Sequence, residues 1–213
     1  MAKTKIEFVC RECGSSHHQW AGQCLDCKAW NTLEEVVVSQ ATSSKPESLK
    51  DLPASKVQNL SEVKSQNKDR LSTGLTELDR TLGGGLVDGS VVLIGGDPGI
   101  GKSTLILQAL AAVNATNTTL YVSGEESAEQ VSERAIRLGI KEDILFIGET
   151  HLEKIIKLSK DVQPKVIVID SIQTMVTDVS TSAPGSVTQV RDCAAQLTQY
   201  AKQTNTILLM IGH

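Results

Sequence analysis

The stretch that decides the fold of this chain is Gly96-Asp97-Pro98-Gly99-Ile100-Gly101-Lys102-Ser103. It fills the pattern G-x-x-x-x-G-K-S/T at every required position. An apolar run at 91–94 precedes it and a run with helical character follows it, so the sequence predicts a strand, a tight loop and a helix. Glycines let such a loop turn its backbone N–H groups toward phosphate oxygens, and the helix start adds the positive end of its dipole. The sequence therefore predicts a site for a nucleoside triphosphate.

Two side chains of this loop are predicted to carry chemistry. We expect Lys102 to reach the β- and γ-phosphates and the Ser103 hydroxyl to bind Mg²⁺. The backbone of the rest of the loop is predicted to complete the nucleotide site, through Gly96, Asp97, Pro98, Gly99, Ile100, Gly101 and Thr104. A Gly-rich turn that matches by accident is the alternative, and the flanking strand and helix argue against it.

Composition limits the classes of protein to consider. The 213 residues carry a net charge of −4, and 3% of them are aromatic. There is thus no overall attraction to nucleic acid and little basis for a base-stacking platform. The sequence shows no apolar run of membrane-spanning length and no secretory signal, so we expect a cytoplasmic protein without a membrane partner. In that reducing compartment, paired cysteines are more typical of metal sites than of disulfides.

Four of the five cysteines form two C-x₂-C pairs near the amino terminus, separated by ten residues. Four thiolates at this spacing are typical of a closed tetrahedral zinc site, with the ligands Cys10, Cys13, Cys24 and Cys27. We therefore predict a structural zinc ribbon (zinc finger) over 1–38, in which metal binding supplies folding free energy on the order of 10 kcal/mol. A rubredoxin-like iron site has similar geometry and stays open. His17 and His18 are interpreted as loop residues rather than ligands.

Residues 39–70 are rich in Ser, Lys, Gln and Asn and are predicted to form a linker. From residue 71 onward, apolar strand patterns alternate with helix patterns. The predicted strands are 91–95, 119–123, 144–147, 166–170 and 206–211, and the predicted helices are 103–114, 127–138, 151–161 and 187–203. This succession is typical of an α/β domain with a mainly parallel sheet. We assign it to 71–213 and expect it to be incomplete at its carboxyl end, because the chain stops directly after a strand.

Acidic residues follow two of the predicted strands. Asp170 ends the strand 166–170, and in enzymes with a phosphate loop such an Asp orients Mg²⁺. Glu125 and Glu126 follow the strand 119–123, which we place beside the strand of the phosphate loop, where a carboxylate can activate the attacking water. Negative charge at a helix start explains these two glutamates equally well. Glu125 is the better catalytic candidate because it lies closer to the strand.

The base of the nucleotide is predicted from a missing motif. The guanine-reading pattern N-K-x-D does not occur, since the nearest string, Asn67-Lys68-Asp69-Arg70, does not fit it. We therefore expect ATP rather than GTP as the substrate.

These residues together resemble one family. The segments Cys10-x₂-Cys13-Gly14 and Trp20-x-Gly22-x-Cys24-x₂-Cys27-x₂-Trp30-Asn31-Thr32 resemble the zinc finger of the bacterial RadA (Sms) family of DNA repair proteins. The segment Ser72-Thr73-Gly74-x₃-Glu77-Leu78-Asp79-Arg80-x-Leu82-Gly83-Gly84-Gly85-Leu86 resembles the start of that family's RecA-like ATPase core. The phosphate loop, the turn 123–127 and the segment 170–174 are similar to its nucleotide-site motifs. Only the linker matches weakly.

The resemblance implies an ATP-dependent DNA motor that acts in repair by homologous recombination and promotes strand exchange or branch migration. It implies hydrolysis of ATP with Mg²⁺. It also implies single-stranded and branched DNA, a recombinase and other recombination proteins as partners, and a homo-oligomeric (hexameric) ring. Carried over by position, Lys102 and Ser103 bind phosphate and Mg²⁺, Asp170 supports the metal and Glu125 activates water. His213 falls at the position of a γ-phosphate sensor, and residues 174–189 resemble a first DNA-facing loop.

The sequence departs from the family's pattern at its end. It lacks the later motif Lys-Asn-Arg-Phe-Gly and the domain that resembles Lon protease, so we do not assign ring assembly to these residues by themselves. Two other functions stay open. One is a signalling or scaffold ATPase of the clock-protein type, whose core also carries a Glu-Glu pair after a strand; the zinc module argues against it. The other is a zinc-ribbon adaptor that uses ATP as a binding switch.

Overall fold

A computed structural model of the chain describes residues 5–38, 59, 70–180 and 182–212. The chain divides into two compact units, Met1–Lys68 and Asp69–His213. Of the linker predicted over 39–70, only Asn59 and Arg70 lie within the described residues. The predicted sensor His213 lies outside them.

The first unit contains a small antiparallel sheet of three strands in the order β2-β1-β3. The strands are β1 (Lys5–Cys10), β2 (Ser16–His17) and β3 (Leu33–Val38). Its buried apolar cluster consists of Cys10, Cys24 and Leu33, with Phe8 and Ala21 partly buried beside them. A cluster of this size buries too little apolar surface to offset the entropy of ordering the segment.

The second unit is built on a parallel sheet of five strands in the order β4-β8-β7-β5-β6. The strands are β4 (Val91–Ile94), β5 (Thr119–Ser123), β6 (Leu145–Gly148), β7 (Val166–Asp170) and β8 (Ile207–Ile211). The predicted α/β class with a parallel sheet is confirmed, and each predicted strand is found to within one residue. The expectation that β5 lies beside β4 is wrong, because β8 and β7 lie between them. Order along the chain does not fix order in the sheet, since helical crossovers carry strands past one another.

In the described part of this unit, α1 (Thr76–Thr81) precedes β4, and four α-helices connect successive strands: α2 (Lys102–Asn114), α3 (Ala128–Arg137), α4 (Leu152–Val162) and α5 (Val187–Thr204). A short 3₁₀ helix, Ile172–Thr174, follows β7. The four predicted helices correspond to α2–α5, whereas α1 and the 3₁₀ helix were not predicted. At the start of α3, Ser127 and Gln130 form a reciprocal capping box, as their spacing predicts.

Helices cover both faces of the sheet, and strands β5, β7 and β8 are buried at every position. On one face, Ile106, Leu107 and Leu110 of α2 belong to the same buried cluster as Val168 and Leu209 of the sheet. The other face of the sheet is covered by α4 and α5. There Ile155 of α4 and Leu197 of α5 belong to one buried cluster with Ile167 and Ile169 of β7. Cys193 of α5 is buried in this second cluster, as expected for a small apolar side chain. The carboxyl ends of all five parallel strands lie at one edge of the sheet.

Candidate functional site

The phosphate loop joins β4 to α2 at the carboxyl edge of the sheet. Gly96, Gly99 and Gly101 have φ angles of 152°, 81° and 96°, a region that side chains with a Cβ avoid. The loop can therefore curl only because glycine occupies these three positions. Gly101 is also the N-cap residue of α2 and offers no side chain to the amides of the first turn. Those N–H groups and the positive end of the helix dipole are the elements of an anion site.

Lys102 lies folded back over its own loop. Its Nζ donates hydrogen bonds of 2.6 Å to the carbonyl oxygen of Gly96 and 2.8 Å to that of Asp97. The ammonium group is thus held at the concave side of the loop, where the sequence predicts the phosphates. Because its partners are uncharged carbonyl oxygens, phosphate oxygens are the stronger acceptors for the same donor.

Asp170 ends β7 and is 9% exposed. Side chains alternate along a strand, so Asp170 shares a face of the sheet with Val166 and Val168, which cluster with residues of α2. Only β8 separates β7 from β4, so the ends of these two strands are about 10 Å apart at the usual spacing of neighbouring strands. The structure thus brings Asp170 to the face and the edge of the sheet where the phosphate loop lies.

Asp170 has a side-chain partner that the sequence patterns do not predict. Tyr121, in the middle of β5, is fully buried, and its hydroxyl donates a hydrogen bond to Oδ2 of Asp170. Burial, followed by the negative charge of Asp170, raises the pKa of Tyr121 well above its usual value, so the phenol stays neutral. A signal was present in the sequence, because Tyr121 stands in a buried strand and a buried tyrosine hydroxyl requires a partner.

Glu125 follows β5 and is tied to the end of β7. Ser171 Oγ donates a hydrogen bond of 2.8 Å to Oε1 of Glu125, and the peptide bond between Asp170 and Ser171 is cis. Ser123 Oγ accepts from the backbone N–H groups of Glu125 and Glu126, at 3.3 and 2.9 Å. The turn after β5 is therefore fixed both at its backbone and at the carboxylate of Glu125.

Glu126 has different partners from Glu125. Its carboxylate forms an ion pair with Arg134 of α3, and both side chains are partly buried. It thus links the turn after β5 to the helix that follows, whereas Glu125 reaches the neighbouring strand. The two glutamates thus have different side-chain partners, Ser171 at the end of β7 for Glu125 and Arg134 of α3 for Glu126.

Gly124 allows the turn that carries Glu125 to lie close to the 3₁₀ helix. A Cβ on Gly124 would overlap with Oγ1 of Thr174 and lie 2.9 Å from Cγ2 of Thr150. The Gly124 N–H donates to the carbonyl oxygen of Asp170 at 3.1 Å. Any larger residue at this position would push the Glu125 turn away from the 3₁₀ helix.

The four predicted metal ligands come together in the first unit. The Sγ atoms of Cys10 and Cys27 are 3.6 Å apart, as are those of Cys13 and Cys24, and all four lie within 4.8 Å of one another. Zn–S bonds of about 2.3 Å in a tetrahedron require sulfurs about 3.8 Å apart. The arrangement therefore fits one tetrahedral ion.

The pKa values of two of these cysteines also favour a bound cation. Burial raises the pKa of Cys10, but hydrogen bonds from Thr32 and from the backbone outweigh it and lower the pKa to about 6. A backbone hydrogen bond lowers the pKa of Cys27, yet burial and the three neighbouring sulfurs raise it to about 12. Without a positive charge at the centre, these sulfurs cannot all be thiolates near neutral pH.

His17 has a closer connection to the metal ligands than the sequence predicts. It lies in the short strand β2 rather than in a loop, and its Nε2 lies 3.5 Å from Sγ of Cys24 and 3.7 Å from Oδ2 of Asp26. The four cysteines still form the complete tetrahedral set, so His17 contacts a ligand rather than replacing one.

In the part of the chain that the structure describes, no helix combines the length and the apolar character needed to cross a membrane.

Comparison with known proteins assigns a family to both units. The sequence model of the KaiC ATPase family matches residues 71–146, and that of a rubredoxin metal-binding domain matches residues 8–35. The whole chain aligns with the DNA repair protein RadA of Pseudomonas aeruginosa at 52% identity over 214 residues, covering 47% of that protein. The chain belongs to the RadA family. The RadA proteins of Escherichia coli and Haemophilus influenzae are 48% and 47% identical to it, again over the whole chain and 48% of each relative.

RadA membership agrees with the architecture. The parallel sheet with its phosphate loop is a RecA-like ATPase core, and the four-cysteine unit is a rubredoxin-like zinc ribbon. The chain spans about half the length of the curated relatives it matches. The match to the KaiC family is also expected under the alternative hypothesis of a signalling or scaffold ATPase of the clock-protein type. Whole-chain identity to DNA repair proteins and the zinc ribbon instead favour a DNA repair ATPase.

Proposed function

We propose that this chain binds and hydrolyses Mg²⁺-ATP within a DNA repair protein. The observation that carries the proposal is the arrangement at the carboxyl edge of the sheet. There the Glu125 carboxylate is hydrogen-bonded to Ser171, next to Asp170, at the edge where the loop holding Lys102 begins. A phosphate-binding element, a metal-orienting carboxylate and a group that activates water are the parts required for hydrolysis of a nucleoside triphosphate.

The loop residues bind and orient the phosphates in this proposal. The curled backbone from Gly96 to Thr104, together with the first turn of α2, donates N–H groups to the phosphate oxygens. Lys102 exchanges the carbonyl oxygens of Gly96 and Asp97 for the β- and γ-phosphates. Ser103 and Asp170 supply the hydroxyl and carboxylate oxygens that a hard cation such as Mg²⁺ prefers. When bound, the ion neutralises charge on the phosphates.

Glu125 is the proposed general base. Its carboxylate accepts a hydrogen bond from Ser171 at Oε1, so Oε2 is the oxygen left to orient and deprotonate a water molecule. The ion pair between Glu126 and Arg134 keeps the second glutamate out of this role. The two acidic residues after β5 thus have separate functions.

The role in DNA metabolism is proposed from the relatives. They carry the name DNA repair protein RadA, and we infer that this chain contributes to repair by homologous recombination in the cytoplasm. Strand exchange or branch migration on single-stranded and branched DNA, in a homo-oligomeric ring and together with a recombinase, is the activity proposed for the whole protein. Residues 174–189 are the proposed DNA-facing loop. Zinc in the ribbon is proposed to have a structural role.

ATP hydrolysis by the whole protein, measured with and without single-stranded DNA, tests the proposal. We expect turnover that DNA stimulates. Lys102→Ala should abolish it, and Glu125→Gln should lower kcat by about 10²–10⁴-fold while ATP still binds. Glu126→Gln is the matched control: it breaks the pair with Arg134 and lowers stability, but turnover per folded molecule should stay within about threefold. Normal turnover in Lys102→Ala, or no effect of DNA on the wild type, would contradict the proposed function.

A further inference from the structure

The contact between Tyr121 and Asp170 has no place in the proposed chemistry so far. Tyr121 is fully buried in β5, and Asp170 ends the neighbouring strand β7. In the parallel register Tyr121 stands opposite Val168, so the side chain two positions further along β7 on the same face is that of Asp170. The phenol hydroxyl donates to Oδ2 of this carboxylate.

The ring of Tyr121 is held from the other side as well. Phe146, on the edge strand β6, stacks on it with ring centroids 6.4 Å apart and an angle of 16° between the planes. Residues of α2 belong to the same buried cluster. Phenylalanine would fill this apolar space equally well, so packing alone does not explain the hydroxyl. A buried hydroxyl without a partner is costly, and here its partner is the carboxylate assigned to the metal.

We propose that Tyr121 is a positioning residue for Mg²⁺-ATP, which orients Asp170 through the hydrogen bond at Oδ2 so that Oδ1 is directed toward the ion and its water ligands. The proposal rests on the proposed function, because it takes Asp170 as the metal-orienting carboxylate. Tyr121 itself touches neither nucleotide nor metal in this arrangement.

The chemistry of the pair suits this role. The phenol donates its single hydroxyl proton to Oδ2 of Asp170 and brings no charge of its own to the site. A donor at Oδ2 occupies one carboxylate oxygen without placing a positive charge beside it, which leaves Oδ1 available to a cation. Hydrogen bonds of this type to metal-binding carboxylates commonly contribute 10- to 100-fold to metal affinity.

The substitution Tyr121→Phe removes the hydroxyl and keeps the ring. We expect the affinity for ATP without magnesium to stay unchanged and the gain in affinity on adding magnesium to fall by about tenfold. In the ATPase assay, the half-saturating concentration of magnesium should rise by a similar factor, with kcat at saturating magnesium largely retained. Calorimetric titration with ATP in the presence and absence of MgCl₂ gives a readout that does not depend on turnover.

Tyr200→Phe is the matched control, since Tyr200 is the other of the two tyrosines in the chain. Tyr200 lies in α5, in the buried cluster on the opposite face of the sheet. Removal of the Tyr200 hydroxyl should leave the magnesium dependence of ATP binding unchanged. In addition, Tyr121→Phe should have no further effect on magnesium-dependent binding in an Asp170→Asn background, because the carboxylate through which it acts is then absent.

The outcomes separate the two proposals. If wild-type protein gains no affinity for ATP from magnesium, the proposed function fails and the inference fails with it. If wild-type protein shows the gain and Tyr121→Phe keeps it in full, even with lowered thermal stability, then Tyr121 is only a packing residue and the inference alone is overturned. A tenfold loss in both Tyr121→Phe and Tyr200→Phe would also overturn it, because the effect would then not act through Asp170.

Discussion

Ser171 and Glu125 are 46 positions apart in the sequence, yet the Ser171 hydroxyl donates a hydrogen bond of 2.8 Å to the Glu125 carboxylate. Each residue lies just beyond the carboxyl end of its strand, β7 for Ser171 and β5 for Glu125, and these strands are neighbours in the sheet. The position of the proposed general base therefore depends on the strand that also carries Asp170. In the proposed mechanism, metal orientation by Asp170 and water activation by Glu125 are therefore coupled through two adjacent residues at the end of β7.

The first prediction concerns this hydrogen bond. Ser171→Ala should lower kcat for ATP by about tenfold and leave KM nearly unchanged, because the carboxylate of Glu125 is then less well oriented toward water while the phosphate loop is intact. Steady-state kinetics at saturating magnesium provides the measurement. Ser90→Ala, just before the amino end of β4 and at the opposite edge of the sheet, should have normal kinetics. An unchanged kcat in Ser171→Ala would show that Glu125 needs no such support.

The strands and helices of the core could be predicted because their patterns are long and distinct. The strand Val166–Asp170 is almost wholly apolar, as expected for a strand covered on both faces, and the structure buries every one of its positions. Helix α1 escaped prediction because it has six residues and buries none of them, so it has no periodic apolar stripe. A short helix without such a stripe leaves no periodic pattern in the sequence and is therefore missed.

The parts of the candidate site that were missed depend on which strands are neighbours. The contacts of Tyr121 with Asp170 and of Ser171 with Glu125 both join β5 to β7. The local sequence does not predict which strands pair, because a helical crossover can place a strand beside any other strand of the sheet. The phosphate loop could be predicted because all its parts lie within one continuous stretch. The four-cysteine site could be predicted because the spacing of its cysteines is typical of a tetrahedral metal site.

The second prediction concerns the zinc ribbon. Cys13→Ser should reduce the zinc content from about one ion per chain to well below one, since three thiolates leave the tetrahedral site incomplete. Both tryptophans of the chain, Trp20 and Trp30, lie in the same segment as the cysteines, so their fluorescence reports on this unit. Their emission should change in the variant and when a chelator is added. Cys193→Ser removes a buried thiol of α5 and should keep the full zinc content.

A result in which Cys13→Ser retains one ion per chain would contradict the four-cysteine site. A colour or an absorption band from bound iron in wild-type protein would instead support the rubredoxin-like alternative. The far-UV circular dichroism of the parallel α/β unit should be largely insensitive to the substitution.

The third prediction concerns the segment that precedes β4. Asp79 of α1 accepts hydrogen bonds at Oδ1 from the backbone N–H of Thr73 at 2.8 Å and from its hydroxyl at 2.7 Å, and at Oδ2 from the hydroxyl of Ser72 at 2.6 Å. Asp79→Ala should therefore lower the free energy of unfolding by about 1–2 kcal/mol at pH 7. Glu77→Ala, on the same helix, breaks only an exposed ion pair with Arg80 and should change it by less than about 0.5 kcal/mol.

The effect of Asp79 should also depend on pH. Burial raises the pKa of Asp79, but the hydrogen bonds from Ser72 and Thr73 outweigh it, so the pKa in the folded protein lies below its usual value. A carboxyl group with a lowered pKa stabilises the fold at pH values above the unfolded pKa of about 3.9, and this contribution is lost as the pH falls through the folded value. Urea titrations at pH 7 and pH 3 should show the difference between wild type and Asp79→Ala shrinking at pH 3. An equal difference at both pH values would show that the carboxylate charge has no role.

The last prediction concerns the start of the proposed DNA-facing loop. Thr177 is buried, and its hydroxyl donates to Oε1 of Glu153 at 2.5 Å and accepts from Nε2 of Gln196 at 2.8 Å. The Asp178 N–H donates to the same Glu153 oxygen at 3.1 Å, and the Val179 N–H donates to the Thr177 hydroxyl at 3.4 Å. One hydroxyl thus connects the start of this loop to Glu153 of α4 and to Gln196 of α5.

Thr177→Val keeps the shape of the side chain but leaves Glu153 and Gln196 without this partner. We expect the free energy of unfolding to fall by about 1–3 kcal/mol and the amide protons of Asp178 and Val179 to exchange faster, because buried polar groups lose their hydrogen bonds. Hydrogen exchange followed residue by residue provides the measurement. Thr198→Val, half-exposed on α5, should leave exchange in the loop unchanged. If protection at Asp178 and Val179 stays at the wild-type level in Thr177→Val, the loop must be held by its backbone contacts alone, and the hydroxyl would not be what orders it.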